Sequence, residues 1–215
     1  IKYICGYDIG DNLFFLSTTD KEEKLEKELP YIKKAEIRRK IPGTITINIS
    51  SVQVAASIKG AEDFIVTDAS GKILDIRKEG LTDVMQVEGL EPINPQVASI
   101  VEVEDKNALN TYLAIIKELA DINALKSVTR LDMTDLKDIK MYYEDRVEMQ
   151  LGNYVDISDK VVHGILALQN FQNIPENAVG KLDLRLAKEA NRRYFTETGS
   201  LSQNNSQTSS GESGQ

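Results

Sequence analysis

Hydrophobic and polar residues alternate strictly near residue 45, and this alternation is the clearest structural pattern in the chain. Ile45, Ile47 and Ile49 fall on one face of a strand and polar residues fall on the other, because strand side chains alternate with a period of two. The turn-forming pair Pro42-Gly43 precedes this strand, and a first strand precedes the pair. The pattern therefore predicts two strands joined by a turn, closing a unit near Val52.

A short helix is predicted immediately before these strands, from Asp20 to Leu29. Acidic residues crowd its first turn, where the helix dipole favours negative charge, and Pro30 stops it. Leu25 and Leu29 stand four residues apart and form its apolar stripe.

The rest of the chain predicts hairpins, short strands and two amphipathic helices. One hairpin runs from Phe64 to Leu74, and another joins 139–143 to 147–152. Shorter strands are expected near 84–87, 100–103 and 126–133. The helices are expected at 106–120 and from Ser158 to a point before Pro175. These elements predict an α+β fold: a bent, mostly antiparallel sheet with helices on one face.

Composition and charge narrow the class of protein. The 215 residues carry a net charge of −8, of which residues 1–52 contribute +1 and residues 53–195 contribute −7. The net negative charge of residues 53–195 argues against nucleic-acid binding, which depends on neutralising phosphates.

The segment after Phe195 is rich in Ser, Gln, Asn and Gly, and we expect a disordered polar tail at 196–215. No apolar run is long enough to span a membrane, and the chain begins with Ile1, so we expect a fragment that was cut from a longer protein or matured by cleavage.

Residues able to carry chemistry are sparse. Cys5 is the only cysteine and is expected to be a buried small hydrophobe, and His163 is the only histidine and is expected to be structural or exposed. Asp8 and Asp11 are read as turn residues rather than as a carboxylate pair. No catalytic, cofactor or metal site is predicted, and the chain is expected not to be an enzyme.

Several stretches together resemble the DivIB/FtsQ family of bacterial cell-division proteins. The order of helix, strand, Pro-Gly turn and strand resembles the second half of a polypeptide-transport-associated (POTRA) domain. The sequence of residues 29–49 resembles the sequence of this segment in the family. Further similar stretches follow in the family's order: Gly10–Phe14, Phe64–Leu74, Gln150–Gly152 with Lys160, and Leu182–Arg185. One departure is that Ser50–Ala55 replaces the family's "E-R-x-P-V-A".

The resemblance implies a domain organisation and a function. It implies a POTRA-like domain at 1–52 that lacks its first strand, with an open edge at 45–49 or its neighbour. A larger β domain at 53–195 follows. It further implies a non-enzymatic scaffold on the outer side of the cytoplasmic membrane at the division septum, in a parent chain anchored by one membrane helix that this fragment does not include. The scaffold would bind the single-span proteins DivIC/FtsB and FtsL and help control septal peptidoglycan synthesis.

The resemblance places partner binding on the C-terminal strands, by addition of a strand to the sheet edge. Alternation at 181–186 predicts Leu182, Leu184 and Leu186 on one face, and residues 192–195 are expected to form the last strand. The residues assigned to this site are Lys181, Asp183, Arg185, Leu186, Arg192, Arg193, Tyr194 and Phe195. A capping role for this hairpin is the alternative. A basic cluster is a possible second surface, with simple solvation of the strand as the alternative: Lys33, Lys34, Arg38, Arg39 and Lys40.

Three other classes of function remain open from the sequence. They are a POTRA-bearing chaperone, a structural or adhesion module of the cell envelope, and a cell-wall hydrolase.

Overall fold

Two β-sheets and four helices make up the described part of the chain. The structure, a computed structural model, describes residues 2–6, 17–170, 174–175, 177–186 and 194–200. One sheet has two strands and the other has nine. The predicted α+β class is confirmed.

The N-terminal elements follow the predicted order of helix, strand, turn and strand. β1 and β2 pair antiparallel, with Ile37 opposite Ile47. Buried side chains from the helices and β1, among them Cys5 and Leu25, form a small hydrophobic cluster, so the predicted burial of Cys5 is confirmed. The elements are α1 (Lys2–Cys5), α2 (Thr19–Glu28), β1 (Ile32–Lys40) and β2 (Thr44–Ser51).

Two glutamates of α2 complete the hydrogen bonding of β1. Glu26 Oε1 accepts from the backbone N–H of Ala35 at 2.9 Å, and Glu22 Oε1 accepts from that of Ile37 at 2.5 Å. The edge of β1 that faces away from β2 is therefore occupied by helix side chains. On the other side of the hairpin, β2 has no neighbouring strand among the described residues, which agrees with the expected open edge at 45–49.

The remaining strands form the nine-stranded sheet. Its order is β11-β10-β9-β8-β7-β6-β3-β4-β5, and five of its eight neighbouring pairs are antiparallel, as predicted. The strands are β3 (Val54–Lys59), β4 (Phe64–Asp68), β5 (Ile73–Arg77), β6 (Met85–Glu88), β7 (Val128–Asp132), β8 (Ile139–Tyr143), β9 (Val147–Gly152), β10 (Ala178–Asp183) and β11 (Tyr194–Ser200). The helices that accompany them are α3 (Lys106–Asp121) and α4 (Ile157–Gln169).

Both helices serve as crossovers between parallel strands. α3 connects β6 to β7, and α4 connects β9 to β10; each of these strand pairs is parallel. A parallel pair requires such a crossover, whereas an antiparallel pair is closed by a short turn. The turn between β8 and β9 has positive φ at Glu144 (49°) and Asp145 (54°), as in a type I′ hairpin. The two predicted hairpins and both predicted helices are confirmed.

The register of the strands separates an apolar face from a polar face. Leu131, Met141 and Met149 are aligned across β7, β8 and β9, and all are buried together with residues of α3 and α4. The opposite face carries aligned polar residues such as Arg130 and Tyr142. Helices therefore cover one face in the described residues, as predicted.

Two stretches of backbone differ from the sequence-based expectations. Residues 100–103 form only isolated bridges, of which Lys72–Ile100 is one, rather than a strand. The last strand continues to Ser200, so residues 196–200 are paired with β10 instead of belonging to a disordered tail. Backbone hydrogen bonding does not depend on side-chain polarity, so an adjacent strand edge orders even a polar segment. Residues 201–215 lie outside the described residues.

The two sheets have separate hydrophobic clusters. The domain boundary near residue 53 stays a prediction.

Candidate functional site

β11 is the outermost strand of the nine-stranded sheet on the side of β10. Hydrogen bonds between β10 and β9 establish which way the backbone groups of β10 point. Gly180 N–H donates to Arg146 O, and Leu184 N–H donates to Gln150 O, both at 3.0 Å. Even-numbered residues of β10 therefore direct their backbone groups to β9, and odd-numbered residues direct theirs to β11.

This alternation determines the orientation of β11. Lys181 lies opposite Thr196 and Asp183 lies opposite Tyr194, so these are the pairs that exchange backbone hydrogen bonds. Phe195 lies between them, and its N–H points away from β10. The outer side of β11 consequently presents a backbone donor at Phe195 in the direction where a further strand would add.

Phe195 is half-buried rather than displayed to solvent. It lies opposite Leu182, packs against the main hydrophobic core and covers Gly180. A Cβ built on Gly180 would come 2.8 Å from Cζ of the Phe195 ring. The aromatic ring thus fills the space that the glycine leaves, which anchors β11 to β10. Sequence analysis did not single out Gly180, although a glycine inside a strand is a recognised sign of close approach.

Asp183 ends β10 by forming a local turn with Arg185. Asp183 Oδ1 accepts hydrogen bonds from both the backbone N–H and Nε of Arg185 at 3.0 Å, and Oδ2 accepts from a terminal guanidinium nitrogen at 2.6 Å. The bound guanidinium lowers the pKa of the Asp183 carboxyl below its ordinary value, although partial burial acts in the opposite direction. Arg185 is therefore engaged within its own chain by Asp183.

The turn also corrects the predicted face of Leu186. Leu182 and Leu184 are buried as predicted, but Leu186 is 57% exposed. The strand alternation stops at Asp183 because the Asp183 carboxylate accepts a hydrogen bond from the backbone N–H of Arg185 and forms a turn there. Leu186 is exposed, as a contact residue for a partner would be, but it does not belong to the core face.

Lys181 contacts the polar face of the neighbouring strand. Its Nζ lies 3.2 Å from Glu148 Oε1, and Gln150 Nε2 donates to the same carboxylate at 2.9 Å. Partial burial opposes ionisation of Glu148, but these two hydrogen bonds outweigh it, so the pKa of Glu148 lies below its ordinary value. Lys181 thus links β10 to β9.

Two assigned residues, Arg192 and Arg193, lie outside the described residues. The described strand is Tyr194–Ser200, so the predicted start of the last strand at Arg192 lies outside the described residues. The structure therefore brings together Lys181, Asp183 and Phe195 on the last two strands, with Arg185 and Leu186 in the turn that follows β10.

The basic cluster lies on β1 and is partly neutralised. All five of its residues are exposed or partly exposed. Glu36 accepts from Lys34 Nζ at 2.9 Å and from Arg38 at 3.1 Å. The hydrogen bond from Lys34, followed by its charge and by Arg38, lowers the pKa of Glu36 below its ordinary value. The remaining members of the cluster are Lys33, Arg39 and Lys40.

The described residues contain few groups suited to catalysis. His163 lies exposed on α4. Among residues 2–6, 17–170 and the described positions after them, no three His, Cys, Asp or Glu side chains are grouped to hold a metal ion. None of the described helices is both long enough and apolar enough to cross a membrane.

Comparisons with known proteins identify relatives of this chain. Residues 1–50 match the profile of the POTRA domain, FtsQ-type. The chain is 26% identical over 154 residues to the cell division protein DivIB of Clostridium acetobutylicum, covering 71% of this chain and 60% of the relative. It is 30% identical over 101 residues to the cell division protein FtsQ of Corynebacterium glutamicum, covering 46% of this chain and 45% of the relative.

One solved structure is also similar: the major extracytoplasmic domain of the trans isomer of the cell division protein DivIB from Geobacillus stearothermophilus. Its sequence is 15% identical, the match covers 58% of this chain and 98% of that one, and the TM-score is 0.37. The chain spans about 60% or less of the length of the two relatives above.

Proposed function

The chain belongs to the DivIB/FtsQ family of cell-division proteins, and from that premise we propose that it is a non-enzymatic scaffold of the bacterial division machinery. In this proposal it binds DivIC/FtsB-like and FtsL-like single-span proteins and helps control septal peptidoglycan synthesis. It acts on the outer side of the cytoplasmic membrane at the septum, as part of a longer single-pass protein. The greater length of its relatives supports the view that the chain is part of a longer protein.

The observation that carries the proposal is the position of β11 at the outer edge of the sheet. An outermost strand offers a row of backbone groups to which an extended segment of a partner adds. The register directs the N–H of Phe195 to that side. Main-chain hydrogen bonds would supply much of the affinity, and side chains near the edge would supply selectivity.

Side chains at the end of β10 support a role in selectivity. Arg185 and Leu186 are both exposed in the turn after Asp183. A partner carboxylate near Arg185 would share the guanidinium with Asp183, and an apolar partner side chain would cover Leu186. In this proposal Arg185 and Leu186 therefore contribute to selectivity for the partner beside the strand edge.

We propose the domain division on similar grounds. The two-stranded sheet with α1 and α2 forms the POTRA-like domain at 1–52, and the nine-stranded sheet forms the β domain from residue 53. The separate hydrophobic clusters support this division. The partner edge then belongs to the second domain alone.

The proposal is tested by measuring binding of this chain to purified extracytoplasmic parts of DivIC and FtsL from the same bacterium. Calorimetric titration is performed with the parent chain, with Arg185→Glu and with the control Lys117→Gln on α3. We expect the parent and the control to bind equally and Arg185→Glu to bind at least about tenfold more weakly, because a glutamate beside Asp183 repels a carboxylate. Absence of binding by the parent, or unchanged binding by Arg185→Glu, contradicts the proposed site.

A further inference from the structure

The polar face of the nine-stranded sheet contains a cleft of about 840 Å³ away from the β11 edge. The loop at 80–84 forms one wall, because Gln86 Nε2 donates to the backbone carbonyls of Leu81 and Val84 and holds the loop over β6. Beyond the loop the cleft opens over Arg130 on β7 and Tyr142 on β8. Its volume lies in the range of ligand-binding clefts.

Arg130 stacks on an aromatic ring in this cleft. Its guanidinium lies 3.8 Å from the centre of the Tyr142 ring, on the adjacent strand. Such stacking orients the planar guanidinium while leaving its N–H donors at the rim of the plane. Asp132, two residues along the same strand, accepts hydrogen bonds from Thr134 N–H at 3.0 Å and Thr134 Oγ1 at 2.7 Å. Among the described residues the guanidinium of Arg130 makes no side-chain hydrogen bond and no direct ion pair, although its charge is one of the influences that lower the pKa of the Asp132 carboxyl.

Arg130 differs in this respect from other cations of the sheet. Lys59 pairs with Glu88 at 3.2 Å, and Lys181 pairs with Glu148 at the same distance. Lys140 pairs with Asp138 at 2.8 Å. A stacked guanidinium that no carboxylate of the described residues binds directly can still form a bidentate pair with a carboxylate from outside the chain.

The surroundings of Arg130 favour a peptide carboxylate over a polyanion. Phe64, Val84 and Leu125 line the same cleft as Arg130. Asp83 and Asp145 also line it, and their negative charge repels a phosphate or another multiply charged group more strongly than a single carboxylate. A ligand with one carboxylate between apolar groups satisfies both features.

We propose that this cleft binds a partner protein through a peptide segment in which one Glu or Asp lies between apolar residues. The carboxylate pairs with Arg130 over the Tyr142 ring, and the apolar neighbours contact the Phe64 and Leu125 side of the cleft. Arg and Tyr are the residue types that most often dominate binding energy at protein interfaces. This surface is separate from the strand edge at β11, so its existence does not depend on the partners proposed for that edge.

The proposal is tested with two blocked peptides, Ac-Val-Leu-Glu-Leu-Val-NH2 and the same peptide with Gln in place of Glu. Each is titrated into the isotopically labelled full chain, and resonances of the Arg130 and Tyr142 side chains are followed by NMR. We expect saturable shifts at both side chains and an affinity at least about tenfold higher for the Glu peptide, the size expected for a charge-assisted bidentate pair. Arg130→Gln should remove this preference, and Lys117→Gln, on a different surface, should retain it.

Several results would overturn the inference. Equal affinity for the two peptides, or shifts that map elsewhere, would remove Arg130 from any such role. Shifts of the same size with acetate alone would show that the apolar side of the cleft is not used. Self-association of the chain that Arg130→Gln abolishes, measured by sedimentation, would assign the cleft to a second copy instead of a partner peptide.

Discussion

The ring of Phe195 on β11 lies across Gly180 on β10, in the space where any other residue would carry its Cβ. A Cβ at position 180 would come 2.8 Å from the Phe195 ring and would also collide with the backbone carbonyl of Thr196. The position of the outermost strand therefore depends on a residue without a side chain in the strand beside it. This relationship makes the position of the sheet edge depend on Gly180.

Replacing Gly180 with Ala should displace β11. The new methyl group meets a backbone carbonyl as well as a ring, so the clash is not relieved by a side-chain rotation, and we expect a loss of about 1–3 kcal/mol in the free energy of unfolding. Urea denaturation measures this loss. Gly199→Ala on the same sheet edge is the matched control, because a Cβ at position 199 would have no heavy atom within 4 Å, and its stability should change by less than about 0.5 kcal/mol. Equal effects of the two substitutions would contradict the packing of Phe195 on Gly180.

The ion pair between Asp183 and Arg185 should make the sheet edge sensitive to acid. The folded pKa of Asp183 is below the unfolded value of about 3.9, so the unfolded chain binds more protons at acidic pH. The stabilisation is therefore complete well above pH 4 and is lost as the pH falls through the folded pKa.

Arg185→Gln should consequently be slightly less stable than the parent at pH 7, and the loss should be small because solvent screens the largely exposed guanidinium. The difference should shrink at pH 3, as measured by urea denaturation at both pH values. Lys126→Gln is the control, because Lys126 has no ion pair among the described residues. A difference for Arg185→Gln that stays constant with pH would contradict the account.

Much of the fold was predictable from local patterns. The alternation at Ile45–Ile49 predicts a strand and the helical spacing in α3 predicts a helix, because each periodicity lies within one element and does not depend on what that element contacts. The parallel pairing of β9 with β10 was not predicted, because it depends on how α4 carries the chain back across the sheet. Long-range pairing of this kind leaves no periodic trace in the sequence.

The site was predictable only in part, for the same reason. Alternation placed Leu182 correctly on the core face, but the hydrogen bond from the Arg185 backbone to Asp183 ended the strand and left Leu186 exposed. Phe195 was expected to be available to a partner, yet it covers Gly180. Both outcomes depend on contacts between side chains and backbone that hydrophobicity does not encode.

The polar C-terminal segment yields a simple prediction about stability. Residues 201–215 contain one apolar residue, Leu201, and such a composition cannot bury enough surface to offset the entropy of ordering. Removing them should leave the melting temperature unchanged within error, as measured by calorimetry. A truncation after residue 193, which also removes β11, is the contrasting variant and should lower the melting temperature. A clear decrease in melting temperature on removing 201–215 alone would contradict the prediction.

Binding of a DivIC extracytoplasmic fragment to two variants of Phe195 tests the central claim most directly. Phe195→Ala and Phe195→Pro both lose the ring, but only proline also loses the backbone N–H that the register directs to the outer side of β11. Calorimetric titration should give measurable binding for the alanine variant, weaker than for the parent, and at least about tenfold weaker binding for the proline variant, provided that circular dichroism shows both to be folded. Equal affinities of the alanine and proline variants would contradict addition of a partner strand at β11.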